Sequence, residues 1–207
     1  MNKKLVYYIA IAFLVIVSIN LLMGLFGVGY GVTKLFESNE NSEIVNSELN
    51  YHNDISPKID SLIQVNPRLA IQNIDKFIKE YPTIYFLELQ KGMAYYQLDS
   101  FELAIREFEK SMTKSGYEYP RALGYIGWTL IETGKFEEGI ERLIKAAEQN
   151  SDYVRDIALA YYEQEDWENA ILYYEKRLDY MTSQKDPYFR NEIKEVNRIL
   201  TDLKKKL

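Results

Sequence analysis

The chain has 207 residues, no cysteine, one histidine and a formal net charge of −6. Without cysteine there is no disulfide framework, no lipoprotein anchor and no thiolate metal site, and a lone histidine forms no transition-metal cluster. All 31 acidic residues lie after position 36, against 22 of the 25 basic ones, so that part carries −9. A bulk field of that sign excludes binding to nucleic acid or to anionic lipid headgroups through charge alone.

Residues 1–4, with Lys3 and Lys4, precede an uncharged run from Leu5 to Met23. Nineteen helical residues span about 28 Å, close to the hydrocarbon thickness of a bilayer. The apolar stretch continues through the glycines Gly24, Gly27, Gly29 and Gly31, so residues 5–32 read as a transmembrane signal-anchor. The two lysines favour the cytoplasm, which orients the chain N-in and C-out at the cytoplasmic (inner) membrane of a bacterium. A cleaved signal peptide competes with this reading, with Gly27 and Gly29 as small residues near a cleavage point. Against it stand the length of the apolar core and the lack of an Ala-x-Ala site. A third arrangement, anchored with the soluble part in the cytoplasm, runs against the lysines. Gly27-x-Gly29-x-Gly31 lacks the strand and helix that a phosphate loop needs. Gly27 and Gly31 at four-residue spacing could pack two such helices, although they lie at the edge of the span. Residues 33–54 are mostly polar and acidic, and read as a tether that holds His52 in solvent.

Beyond the tether one pattern occurs three times. Gly92-x-x-Tyr95 is followed by Phe101, Ala104, Ile105 and Phe108. Gly127-x-x-Leu130 is followed by Phe136, Gly139, Ile140 and Leu143, and Ala158-x-x-Tyr161 by Trp167, Ala170, Ile171 and Tyr174. The first small residue and the apolar one three later share a helical face, as do the second small residue and the large one four later. Asp99-Ser100, Gly134-Lys135 and Glu165-Asp166 between them are turn-like. Each copy is therefore two antiparallel helices whose small residues permit close approach. This resembles the tetratricopeptide repeat (TPR), a unit of about 34 residues with small and large residues at these positions. The early Trp position of that family holds Glu88, Leu123 and Val154 here, the closing Pro is missing, and the period shrinks to 31 between Gly139 and Ala170.

A worn copy precedes these. Ala70, Ile71, Ile74, Phe77 and Ile78 fit a second helix, while the first, over roughly 57–65, has polar residues in its small-residue slots. After Asp186-Pro187, an apolar stripe of Ile193, Val196, Ile199, Leu200 and Leu203 predicts a capping helix over 187–206, with Lys204–Lys206 at its C-terminal dipole. The expected fold class is all-α: a TPR-type helical-hairpin solenoid at 55–207. It has one degenerate unit (about 55–84), three good ones (85–118, 120–150, 151–184) and the capping helix, behind one transmembrane helix.

In TPR solenoids the first helix of each unit lines a concave groove. That resemblance implies a partner-binding groove at Phe86, Leu89, Met93 and Tyr96, then Arg121, Trp128 and Ile131, then Arg155, Leu159 and Tyr162. Aromatics, Met and Arg are enriched at the centres of interfaces. The Lys and Asn clamp with which some TPR domains hold a terminal carboxylate is absent, its positions being Leu89, Met93 and Tyr125. The expected ligand is an apolar or aromatic peptide or helix, with Arg121 or Arg155 pairing one carboxylate. No catalytic constellation, metal site or cofactor motif emerges, so no enzyme activity is expected. The function that follows is that of a membrane-tethered adaptor in envelope assembly, secretion or protein quality control. An immunity protein capping a toxin and a self-associating scaffold are the alternatives.

Overall fold

The computed structural model describes residues 51–207, without the side chain of His52. The expected cytoplasmic N-terminus, the transmembrane segment 5–32, most of the tether and the exposure of His52 lie outside the described residues. The chain divides into two units at Ile55. Of the first, only a π-helical turn, Tyr51–Ile55, is described. The second, Ser56–Leu207, is all-helical. Its α-helices are α1 (Ser56–Val65), α2 (Pro67–Glu80), α3 (Phe86–Tyr96), α4 (Phe101–Ser115), α5 (Pro120–Glu132), α6 (Phe136–Gln149), α7 (Tyr153–Glu163), α8 (Trp167–Gln184) and α9 (Arg190–Leu203). No helix among the described residues is long and apolar enough to cross a membrane.

The three good hairpins, α3–α4, α5–α6 and α7–α8, turn in the same way. The N–H groups of Ser100, Lys135 and Asp166 donate to the carbonyls of Tyr95, Leu130 and Tyr161 at 3.0, 2.9 and 3.0 Å. One residue earlier, the N–H groups of Asp99, Gly134 and Glu165 donate to Tyr96, Ile131 and Tyr162 at 3.0, 2.9 and 3.1 Å. This pair of bonds is the Schellman motif, which satisfies the last carbonyls of a helix and needs one left-handed residue. Asp99, Gly134 and Glu165 supply it, with φ of 53°, 80° and 57°. The turn-like dipeptides in the sequence thus mark a specific stop signal.

The worn unit turns differently. Asn66 alone separates α1 from α2, and its side chain accepts the Leu69 N–H at 3.1 Å while Pro67 opens the helix. A buried amide fastens this unit to the first good one. Gln90 on α3 donates to the Ser56 carbonyl and hydroxyl, both at 3.1 Å, and to Asp60 at 2.8 Å.

Apolar clusters run along the solenoid, each bridging neighbours, as expected where a repeat cannot bury its face alone. Leu89, Ala104 and Phe108 meet Tyr119, Ala122, Ile126 and Leu130 of the next hairpin. Ile140 and Leu143 meet Ile157 and Ala160. Ala158, Ala170, Tyr174 and Met181 meet Val196, Leu200 and Leu203 of α9. The 31-residue period has a local origin. α7 begins five residues before Ala158, whereas α5 begins seven before Gly127. The missing turn comes from the junction of α6 with α7 and leaves the hairpin crossing intact.

The terminal helix is shorter than the stripe predicts. Asp186 caps a 3-10 turn, Pro187–Phe189, before α9, and the three lysines follow the helix end. Lys204 pairs with Glu175 at 2.6 Å, and the Lys206 ammonium sits 3.8 Å from the centre of the Trp167 ring. Arg177 on α8 anchors α9. It is 3% exposed and bonds Glu192 through Nε at 2.9 Å and Nη2 at 3.1 Å, with Asp152 at 2.9 Å on Nη1.

Candidate functional site

The first helices of successive units, α3, α5 and α7, are followed in register by α9. Two clefts open between them. The first, of about 580 Å3, lies between α5 and α7, and its walls are Tyr117, Tyr119, Arg121, Tyr125, Trp128, Tyr153 and Asp156, with Gly124 in the floor. A Cβ at position 124 would strike the Tyr153 ring, so this glycine is what lets the ring lie against α5. The second, of about 430 Å3, lies between α7 and α9 and is lined by Arg155, Asp156, Leu159, Tyr162, Tyr174, Glu195 and Ile199 among others.

The ten residues expected in the groove distribute unevenly. Arg121 and Trp128 line the first cleft, and Arg155, Leu159 and Tyr162 line the second. Phe86, Met93 and Arg121 are brought together at the lip, the guanidinium 5.1 Å from the Phe86 ring centre and 4.0 Å from the Met93 sulfur. Tyr96 is half-buried, edge-on to Phe101 at 5.8 Å. Ile131 is half-buried and turned inward, where it fills the space over Gly139. Leu89 corrects the expected register, because it has no exposed surface at all. α5 packs against that side of α3, and Tyr119, Ala122 and Ile126 enclose Leu89. The equivalent positions 124 and 155 carry Gly and Arg, so the same register gives a core residue, a cleft floor and an exposed side chain.

Tyr125, Tyr153 and Asp156 are the additions. A glycine at a groove-register position was the available signal for Tyr153, since a missing side chain on a helix face calls for a large neighbour. Tyr125 stacks on Phe108 at 5.2 Å, which holds its ring against the hairpin core. Burial pushes the Tyr153 hydroxyl up to about 12, with Asp156 adding to it. Burial likewise raises the Asp156 carboxyl above the usual carboxylate range, against the opposing pull of Arg155. Tyr119 rises further for the same reason, although its hydroxyl shares a 2.8 Å hydrogen bond with Ser111. Such a wall offers ring surface and hydrogen-bonding edges to a ligand. Among the described residues no group of three His, Cys, Asp or Glu is placed to hold a metal ion.

No protein-family model matches the chain, and no curated protein sequence does. Solved structures do match. The crystal structure of MamA aligns with a TM-score of 0.52 at 18% identity, over 70% of this chain and 86% of that one. A MamA fragment from residue 41 to the end, from Desulfovibrio magneticus RS-1, gives 0.53 at 17% identity, over 72% and 99%. The C-terminal part of a TPR repeat-containing protein from Cytophaga hutchinsonii gives 0.49 at 21% identity over 58% of this chain, which spans about half (49%) of its length. With the repeated small-residue crossings and shared turns described above, the likeness establishes that Ser56–Leu207 has the fold of a TPR-type helical-hairpin solenoid.

Proposed function

We propose that this protein is a non-enzymatic adaptor whose concave face holds a segment of a protein partner. The observation that carries the reading is the α5–α7 cleft, where Arg121, Tyr125, Trp128, Tyr153 and Asp156 converge on one volume. Rigid aromatic rings give large contact area at small entropic cost, and Arg with Trp and Tyr dominates the energetics of most interfaces. The second cleft extends the same surface with Leu159 and Tyr162, which are 37% and 39% exposed. One helix or a short peptide fits a face of this length. The uncharged run 5–23 and the lysines before it support a tether in the cytoplasmic membrane with the solenoid outside, in envelope assembly, secretion or quality control.

The test is crosslinked capture from intact membranes, comparing wild type with Trp128→Ala/Tyr96→Ala. The pair is expected to lose the captured protein while keeping its helicity by circular dichroism. Capture at the wild-type level by a folded double variant refutes the groove. Sizing the full-length protein addresses a self-associating scaffold, which predicts an oligomer that the same two substitutions dissociate.

A further inference from the structure

The two clefts of the concave face share one residue, Asp156. Asp156 is half-buried, whereas its neighbour Arg155 is exposed. Among the described residues no hydrogen bond or ion pair engages its carboxylate. Arg155, the adjacent residue, pulls on this carboxyl but is exposed and forms no ion pair with it, and the buried Arg177 is already held by Glu192 and Asp152. The cation of the first cleft itself, Arg121, lies at the lip on the Phe86 ring and the Met93 sulfur. What remains is a partly desolvated carboxylate with no hydrogen-bonded or ion-paired partner among the described residues, beside Tyr125, Trp128 and Tyr153.

A ligand that fills the cleft removes the water still reaching Asp156. An apolar side chain would leave that charge without a partner, which is costly, and an acidic one would add repulsion. A cation is favoured twice, by the carboxylate and by the negative faces of the aromatic rings. The wider field has the same sign. Asp99, Glu132 and Glu163 all act on Tyr96 at the far ends of the first helices, and the chain beyond position 36 carries −9.

We infer that the α5–α7 cleft receives a Lys or Arg side chain projected by the partner, held among Tyr125, Trp128 and Tyr153 and paired with Asp156. The inference rests on the concave face being the binding surface, and replaces the expectation that a partner carboxylate is the main polar anchor.

Argininamide is the probe, with citrullinamide as its neutral isostere, and the reporter is Trp128 fluorescence in the full-length protein carrying Trp167→Phe. Argininamide is expected to give a saturable change that citrullinamide does not, and Asp156→Asn is expected to weaken it by roughly tenfold. Equal responses to both probes, no response to argininamide, or an unchanged midpoint in Asp156→Asn overturns the inference. Membrane capture separates this failure from failure of the groove. Capture lost in Trp128→Ala/Tyr96→Ala but retained in Asp156→Asn overturns the cation pocket and leaves the groove standing. Capture retained in both overturns both, and loss in both supports both.

Discussion

In the hairpin α5–α6 the two helices meet through glycines. A Cβ on Gly127 would lie 2.9 Å from the Gly139 carbonyl oxygen, and one on Gly139 would lie 2.6 Å from that of Gly127 and 2.5 Å from Ile131 Cγ1. The hairpin α7–α8 places Ala158 and Ala170 at the same positions, both fully buried, and carries in addition the buried Arg177 with its carboxylate partners. One pattern thus tolerates two ways of holding a unit together. The second unit relies on the absence of side chains at a backbone contact, and the third on ordinary packing reinforced by charge. The difference matters for function because both clefts hang on these two hairpins.

The largest expected effect breaks the glycine crossing. Gly139→Ala forces backbone against Cβ and is expected to lower stability by about 3 kcal/mol in urea denaturation, the upper end for overpacking. The reciprocal change in the third unit, Ala170→Gly, is expected to cost only about 1 kcal/mol, mostly backbone entropy. Equal losses in the two would erase the contrast.

The charge network comes next. Glu192→Ala leaves the 3% exposed Arg177 with only the mostly exposed Asp152 and the Ser151 carbonyl, and is expected to cost about 2 kcal/mol. Arg177→Met removes the buried charge itself and fills its space, so it is expected to cost less, on the order of 1 kcal/mol. The reverse order would mean that the guanidinium is held by packing and not by its carboxylates. A smaller effect of opposite sign belongs to the turns. Glu165 adopts the left-handed conformation that Gly134 adopts without strain, so Glu165→Gly is expected to raise stability by about 1 kcal/mol. A drop in melting temperature would show that the Glu165 side chain stabilises the fold in some other way.

The smallest effect is a pH signature. A carboxyl whose folded pKa is raised binds its proton more tightly in the folded state. Its share of stability is therefore present at low pH and lost as pH rises from 3.8 through the raised folded value. Asp156→Asn lacks this loss. Its stability relative to wild type is expected to increase as pH rises from 3.8 through the raised folded value, where the wild-type carboxyl ionises. A pH-independent difference would mean that Asp156 is well solvated.

The hairpins were legible in the sequence because steric demands at a helix crossing admit few residue types. Gly92, Gly127 and Ala158 with Ala104, Gly139 and Ala170 mark those crossings directly, and each turn residue in the left-handed region falls in the expected dipeptide. The groove was less legible, because exposure depends on what the next unit places alongside. Leu89 and Arg155 occupy one register. The first is enclosed by α5, whereas the second faces a cleft, and no local pattern distinguishes them. Tyr153 and Asp156 were missed for a related reason. The shortened junction between α6 and α7 starts α7 late, so Tyr153 opens the helix and its ring reaches Gly124 across the cleft.

The most direct measurement uses a photo-crosslinking residue at two exposed positions of the full-length protein in membranes. Arg155→p-benzoylphenylalanine places the probe at the second cleft of the concave face, and Leu172→p-benzoylphenylalanine places it on α8, a second helix of its hairpin, outside the lining of both clefts. A partner adduct from position 155 and none from 172 is the predicted result. An adduct from position 172 alone would contradict the concave face as the binding surface.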